Sequence, residues 1–130
     1  RESLYALASI YGVELLEDNH REARAIMLAE FLGFQQSHGI PCAPGTDLHR
    51  SAEYHINTNI LRGDTLTAQT SEGQDIQFSW WDRIAGAPGM VQRRPFTLAS
   101  LRHDGFDFTD YVGYRPCMID RVYEEALAVA

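Results

Sequence analysis

A chain of 130 residues and 14.7 kDa is the size of one domain with a single sizeable core. With 45% hydrophobic and 22% charged residues it reads as a soluble globular protein, and its short apolar runs exclude a membrane-spanning helix, which needs roughly 20 such residues. Eighteen acids against eleven bases give a net charge of −7, which excludes general binding to nucleic-acid phosphates.

All eleven bases are arginine. Drift in a GC-rich genome accounts for the absent lysine more simply than a translocated toxin or effector does. No basic flank followed by an apolar core opens the chain, so no signal peptide is visible. Cys42 and Cys117 are too few for a disulfide framework, and their spacing leaves a single bridge open.

In chain order, Leu4, Leu7, Ala8, Tyr11 and Leu15 form one apolar stripe and predict a helix over 3–17. Asn19 followed by Glu22 resembles a capping box and predicts a second helix running to His38. Its inward face would carry Ala23, Ile26, Met27, Phe31 and Phe34, and Gly39 would stop it. Pro41, Pro44 and Gly45 mark 40–48 as a loop. Tyr54, Ile56, Thr58 and Ile60 alternate with polar residues, predicting a half-buried strand over 53–60. Arg62-Gly63-Asp64 reads as a turn, outweighing the adhesion motif it spells. Segments 65–70 and 75–80 flank Ser71-Glu72-Gly73-Gln74 as a hairpin. Residues 81–95 look irregular, 96–103 fits strand or helix, and the stripe through Ile119, Val122, Tyr123, Ala126 and Leu127 predicts a final helix over 117–129. The domain therefore divides into a helical part (1–50), a β-hairpin part (51–80) and a C-terminal core (81–130).

No phosphate-binding glycine loop and no serine-hydrolase elbow occurs. His38, Cys42, His49 and His55 have spacings that match no compact zinc signature, so surface or capping roles are expected for these histidines. The informative group is Arg102-His103-Asp104 with Asp82 and Asp120. Neighbouring His and Asp side chains diverge on a helix, so the imidazole can serve as a base while the carboxylate binds a cation. Asp120, one residue into an apolar stripe, either pairs with a facing histidine or sits in a helix's first turn, where the dipole favours it.

Asp82 through Pro88, Pro95-Phe96, Ala99 to Asp104, and Ile119-Asp120 resemble the core of the prokaryotic secreted phospholipase A2 family. That core reads Asp-x-Cys-x-x-Ala-Pro, Pro-Phe, Ala-Cys-x-Arg-His-Asp and Ile-Asp, and the 21-residue interval from Asp82 to His103 agrees as well. The same motif followed by a helix is also similar to uncharacterised phage-associated proteins. The phospholipase resemblance implies His103 as the base that activates water and Asp120 as the residue that orients it. It also implies a Ca²⁺ ion held by Asp82, Asp104 and the Arg83 carbonyl, which are hard oxygen donors suited to that ion. The implied activity is calcium-dependent lipid-ester hydrolysis at a phospholipid or membrane surface, in a secreted or translocated protein. The family's two cysteines fall at Ile84 and Ser100, so that disulfide is missing. Trp80, Trp81, Ile84, Met90, Val91, Phe106 and Phe108 are candidates for an acyl channel or for ordinary core. The fold expectation is α+β and mainly helical: a phospholipase A2-like helix pair bearing His103 and Asp120, with a small antiparallel sheet. A non-catalytic interaction or phage structural module on the same fold is the alternative.

Overall fold

A computed structural model describes residues 2–102 and 114–127. The architecture is α+β. Helix α1 (Glu2–Ala8) leads into a short strand, β1 (Gly12–Glu14), then α2 (Glu17–Ser37) and α3 (Asp47–Asn59). Strand β2 (Ile60–Arg62) returns to pair in parallel with β1, Gly12 opposite Ile60. A second, antiparallel sheet has the order β3-β4-β5, from Gln77–Arg83, Met90–Thr97 and Cys117–Met118. A 3₁₀ turn spans Ala99–Arg102, and a 3₁₀ helix, Ile119–Leu127, closes the described chain.

The main core joins Leu4, Leu7 and Ala8 of α1 to Ala52 and Ile56 of α3, Trp81, Val91, Ile119 and Val122. Burying each leucine or isoleucine of this kind contributes roughly 1.5–3 kcal/mol. A smaller cluster packs Ile76, Phe78 and Phe96 under Tyr11, whose ring meets both phenylalanines edge-on at 5.4 and 5.5 Å.

Several expected elements are revised. The first helix ends at Ala8, where the Ser9 hydroxyl donates to the Ala6 carbonyl, and the chain from Gly12 onward is drawn into a strand by its pairing with β2. Leu15 therefore faces solvent instead of continuing the stripe. Helix α2 starts at Glu17, two residues ahead of the expected cap, with Leu16 in the cap position and no side-chain hydrogen bond there. Its stop is as read. Gly39 adopts φ 70°, its N–H donates to Gln36 O and the Ile40 N–H donates to Gln35 O, a Schellman closure. Ala23, Met27 and Phe31 pack on the core, but Ile26 and Phe34 are 53% and 55% exposed.

The largest revision is α3, which replaces the expected strand over 53–60. Thr46 caps it by accepting from the His49 N–H. The buried residues Ser51, Ala52, His55, Ile56 and Asn59 recur at helical spacing. The hairpin is also displaced. Residues 64–76 make only isolated bridges through Gln69, whereas β3 and β4 pair from Gln77–Thr97 to Arg83–Val91. The 84–89 turn that joins them uses Gly86 and Gly89 at φ 78° and 84°. Pro95 sits in β4 opposite Ser79, at a position whose N–H the ladder does not use. The final α-helix is instead strand β5 followed by 3₁₀ turns broken at Arg121 (φ −131°, ψ 18°). The Arg62-Gly63-Asp64 turn stands, and only glycine fits its centre. A Cβ on Gly63 would lie 2.5 Å from the buried Ile76 Cδ1 and 3.0 Å from the Gln69 carbonyl.

Candidate functional site

A cavity of about 540 Å³ forms a groove between α1 and the outer edge of β3. Alternation along β3 builds one wall. Trp81 turns into the core against His55, while Trp80 and Asp82 lie on the opposite face. Helix α1 and the residues after it supply the other wall through Glu2, Tyr5, Ser9 and Tyr11. Burial pushes the Tyr11 hydroxyl up to about 12, so it stays protonated at any physiological pH.

The groove's charged groups are paired. The Asp82 carboxylate accepts from Arg94 Nε at 3.3 Å, across the hairpin. The Arg83 guanidinium lies 3.6 Å from the Tyr5 ring centroid and 3.4 Å from a Glu2 oxygen. Glu2, Tyr5 and Arg83 also line a neighbouring cavity of about 270 Å³ formed with the 84–89 turn. The Arg83–Glu2 pair therefore borders both cavities.

The residues singled out from the sequence are only partly gathered here. Asp82 and Arg83 lie side by side on β3 and both line the groove. Asp120 is half-buried in the first turn of the closing 3₁₀ helix, next to the buried Ile119. His103 and Asp104 lie outside the described residues, so the proposed base and second carboxylate have no described position. Among the described residues, no three His, Cys, Asp or Glu side chains converge as a metal-binding group. The described part of the calcium set is one carboxylate and one carbonyl, and Arg94 already neutralises the carboxylate.

Two polar residues that the alternating pattern placed outside lie in the core. Asn59 is fully buried, donates to Ala8 O (3.3 Å) and Ser79 O (3.0 Å), and accepts from the Ser79 N–H (2.8 Å). His55 is also fully buried, with Nε2 3.4 Å from the Ile119 carbonyl, so Nε2 carries the hydrogen. Its Nδ1, the Ser51 hydroxyl one turn earlier and Trp81 Nε1 are buried without a described partner. Desolvation, reinforced by the nearby Arg93 and opposed by the Ile119 hydrogen bond, pushes the imidazole down to about 4. It is neutral at pH 7. His38 and His49 meet expectation by bonding the backbone at Phe34 O and Cys42 O, but His55 does not lie at the surface. Arg93 donates to the Ser79 and Tyr54 hydroxyls and sits 4.3 Å from the Tyr114 ring centroid. Cys42 and Cys117 are not joined in a disulfide.

No family model matches the chain, and no curated protein or solved structure is significantly similar to it.

Proposed function

We propose that the domain acts by binding, with the groove between α1 and β3 as its ligand seat. One arrangement supports this reading. The groove's two carboxylates, Glu2 and Asp82, are both held by guanidinium groups, while Tyr5, Tyr11 and Trp80 form aromatic walls. Such a surface recognises a ligand by stacking and hydrogen bonding, and offers no free carboxylate of its own as a base or a cation ligand.

A second reading, calcium-dependent hydrolysis of lipid esters, draws on the resemblance of residues 82–125 to the prokaryotic phospholipases A2. The position of Asp82 and Arg83 on the groove favours it too. In that reading a phospholipase A2-like helix pair carries His103 and Asp120, Asp104 completes the ion's ligands, and a phospholipid surface supplies the substrate to a secreted or translocated protein. Asp82 would first have to leave Arg94.

Fatty-acid release from mixed phospholipid vesicles separates the two readings. With millimolar Ca²⁺ the expected release equals that with chelator, and His103→Ala leaves it unchanged. Calcium-dependent release that falls by roughly 10²–10⁴-fold in His103→Ala would establish the esterase in place of the binding module.

A further inference from the structure

We propose that the groove accepts an extended peptide segment, which adds as a further strand along the outer edge of β3 at Trp81 and Arg83. This inference rests on the reading of the groove as a ligand seat and names the class of ligand.

The register of the hairpin fixes which backbone groups are available. The Ile84 N–H donates to Met90 O at 3.1 Å and the Leu98 N–H donates to Ile76 O at 2.9 Å. Even-numbered residues of β3 therefore face β4, and the N–H and C=O groups of odd-numbered residues point to the other side. Among the described residues, strand order leaves that side without a strand.

At Ser79 the vacancy is filled by a side chain. The Asn59 carboxamide takes the Ser79 N–H and gives a hydrogen to the Ser79 carbonyl, the two bonds that an adjacent strand would make. A primary amide is a peptide group in miniature, so the fold already shows which chemistry this edge accepts. The next two outward positions, Trp81 and Arg83, have no described backbone partner there, and both line the groove. In a strand they stand about 7 Å apart, the spacing at which a second extended backbone presents its own donors and acceptors. A lipid tail has nothing to offer these groups.

Side-chain chemistry narrows the ligand further. Alternate residues of the added strand would meet the aromatic walls, and the chain's net charge of −7 attracts a basic peptide at long range. The exposed Arg83–Glu2 pair borders both cavities, so the seat continues toward the adjoining cavity of about 270 Å³.

The test pans a random heptapeptide phage library on the whole domain. Enriched peptides are then titrated against wild type, Arg83→Ala and Arg83→Pro. Proline at 83 removes one outward N–H and no ladder bond, so the hairpin tolerates it. Binding to Arg83→Pro should be at least about tenfold weaker than to Arg83→Ala, as expected for one lost hydrogen bond with its partner left unpaired. In wild type, peptide should slow hydrogen exchange at the Trp81 and Arg83 amides at least about tenfold, a readout that needs no variant to fold. Three results would overturn the inference. They are no enriched peptide, a peptide that binds without protecting those two amides, or a dimer joined through β3 that already occupies the edge. Each leaves the groove open to another ligand class, whereas vesicle hydrolysis would overturn the groove reading itself.

Discussion

Replacing Asn59 with alanine is expected to destabilise the domain by about 3–5 kcal/mol, because it strands three buried backbone groups at once. The Ser79 N–H, the Ser79 carbonyl and the Ala8 carbonyl all lose the partner that one side chain now supplies. Each unpaired buried group costs roughly 1–3 kcal/mol, set against a total stability of about 5–15 kcal/mol. Alanine also leaves a cavity, so the informative variant is Asn59→Asp, which keeps the volume. A carboxylate still accepts from the Ser79 N–H but turns an acceptor toward two carbonyls, and it should cost as much as alanine. Guanidinium unfolding followed by tryptophan fluorescence measures both. A loss under about 0.5 kcal/mol in Asn59→Asp would show that the amide is not what seals the edge of β3.

The second large effect concerns acid. His55 is held neutral in the folded chain with its pKa pushed down to about 4, whereas in the unfolded chain it titrates near its ordinary value of about 6.5. Between those values the unfolded state binds more protons. Stability from this group is therefore complete above about pH 6.5, falls as pH drops, and has gone by about pH 4. A displacement of that size corresponds to about 3 kcal/mol. His55→Phe keeps a flat ring against Trp81, removes the titrating group and gives up only one long hydrogen bond. The difference in unfolding free energy between wild type and His55→Phe should shift by about 3 kcal/mol from pH 7 to pH 4, with the carboxylates common to both proteins cancelling. Parallel pH profiles for the two would refute the buried, neutral imidazole.

What could be read from the sequence follows from how local each signal is. Leu4, Leu7 and Ala8 mark the inner face of α1, and Gly39 marks the end of α2, because a short stripe and a left-handed glycine act within a few residues. The strand expected over 53–60 failed because His55 and Asn59, polar and assigned outward, are buried through partners on Ile119, Ala8 and Ser79. Those partners lie far off in sequence, and periodicity cannot see them. The hairpin was misplaced for a related reason. Gly86, Pro88, Gly89 and Pro95 look like irregular chain until the turn and the non-ladder position of Pro95 are known. Of the candidate site, Asp82, Arg83 and the two tryptophans were singled out. Glu2 and Tyr5 were not, since only folding brings α1 against β3.

The parallel pairing of β1 with β2 has a kinetic consequence. A hairpin closes as soon as its turn forms, but Gly12 can meet Ile60 only after α2 and α3 have formed between them and folded back. This pairing is therefore expected to form late in folding, and substitutions at Val13 or Leu61 should speed unfolding while leaving the refolding rate nearly untouched. Stopped-flow chevrons of Val13→Ala would show the change in the unfolding arm; a matching drop in the refolding arm would instead place this contact in the nucleus.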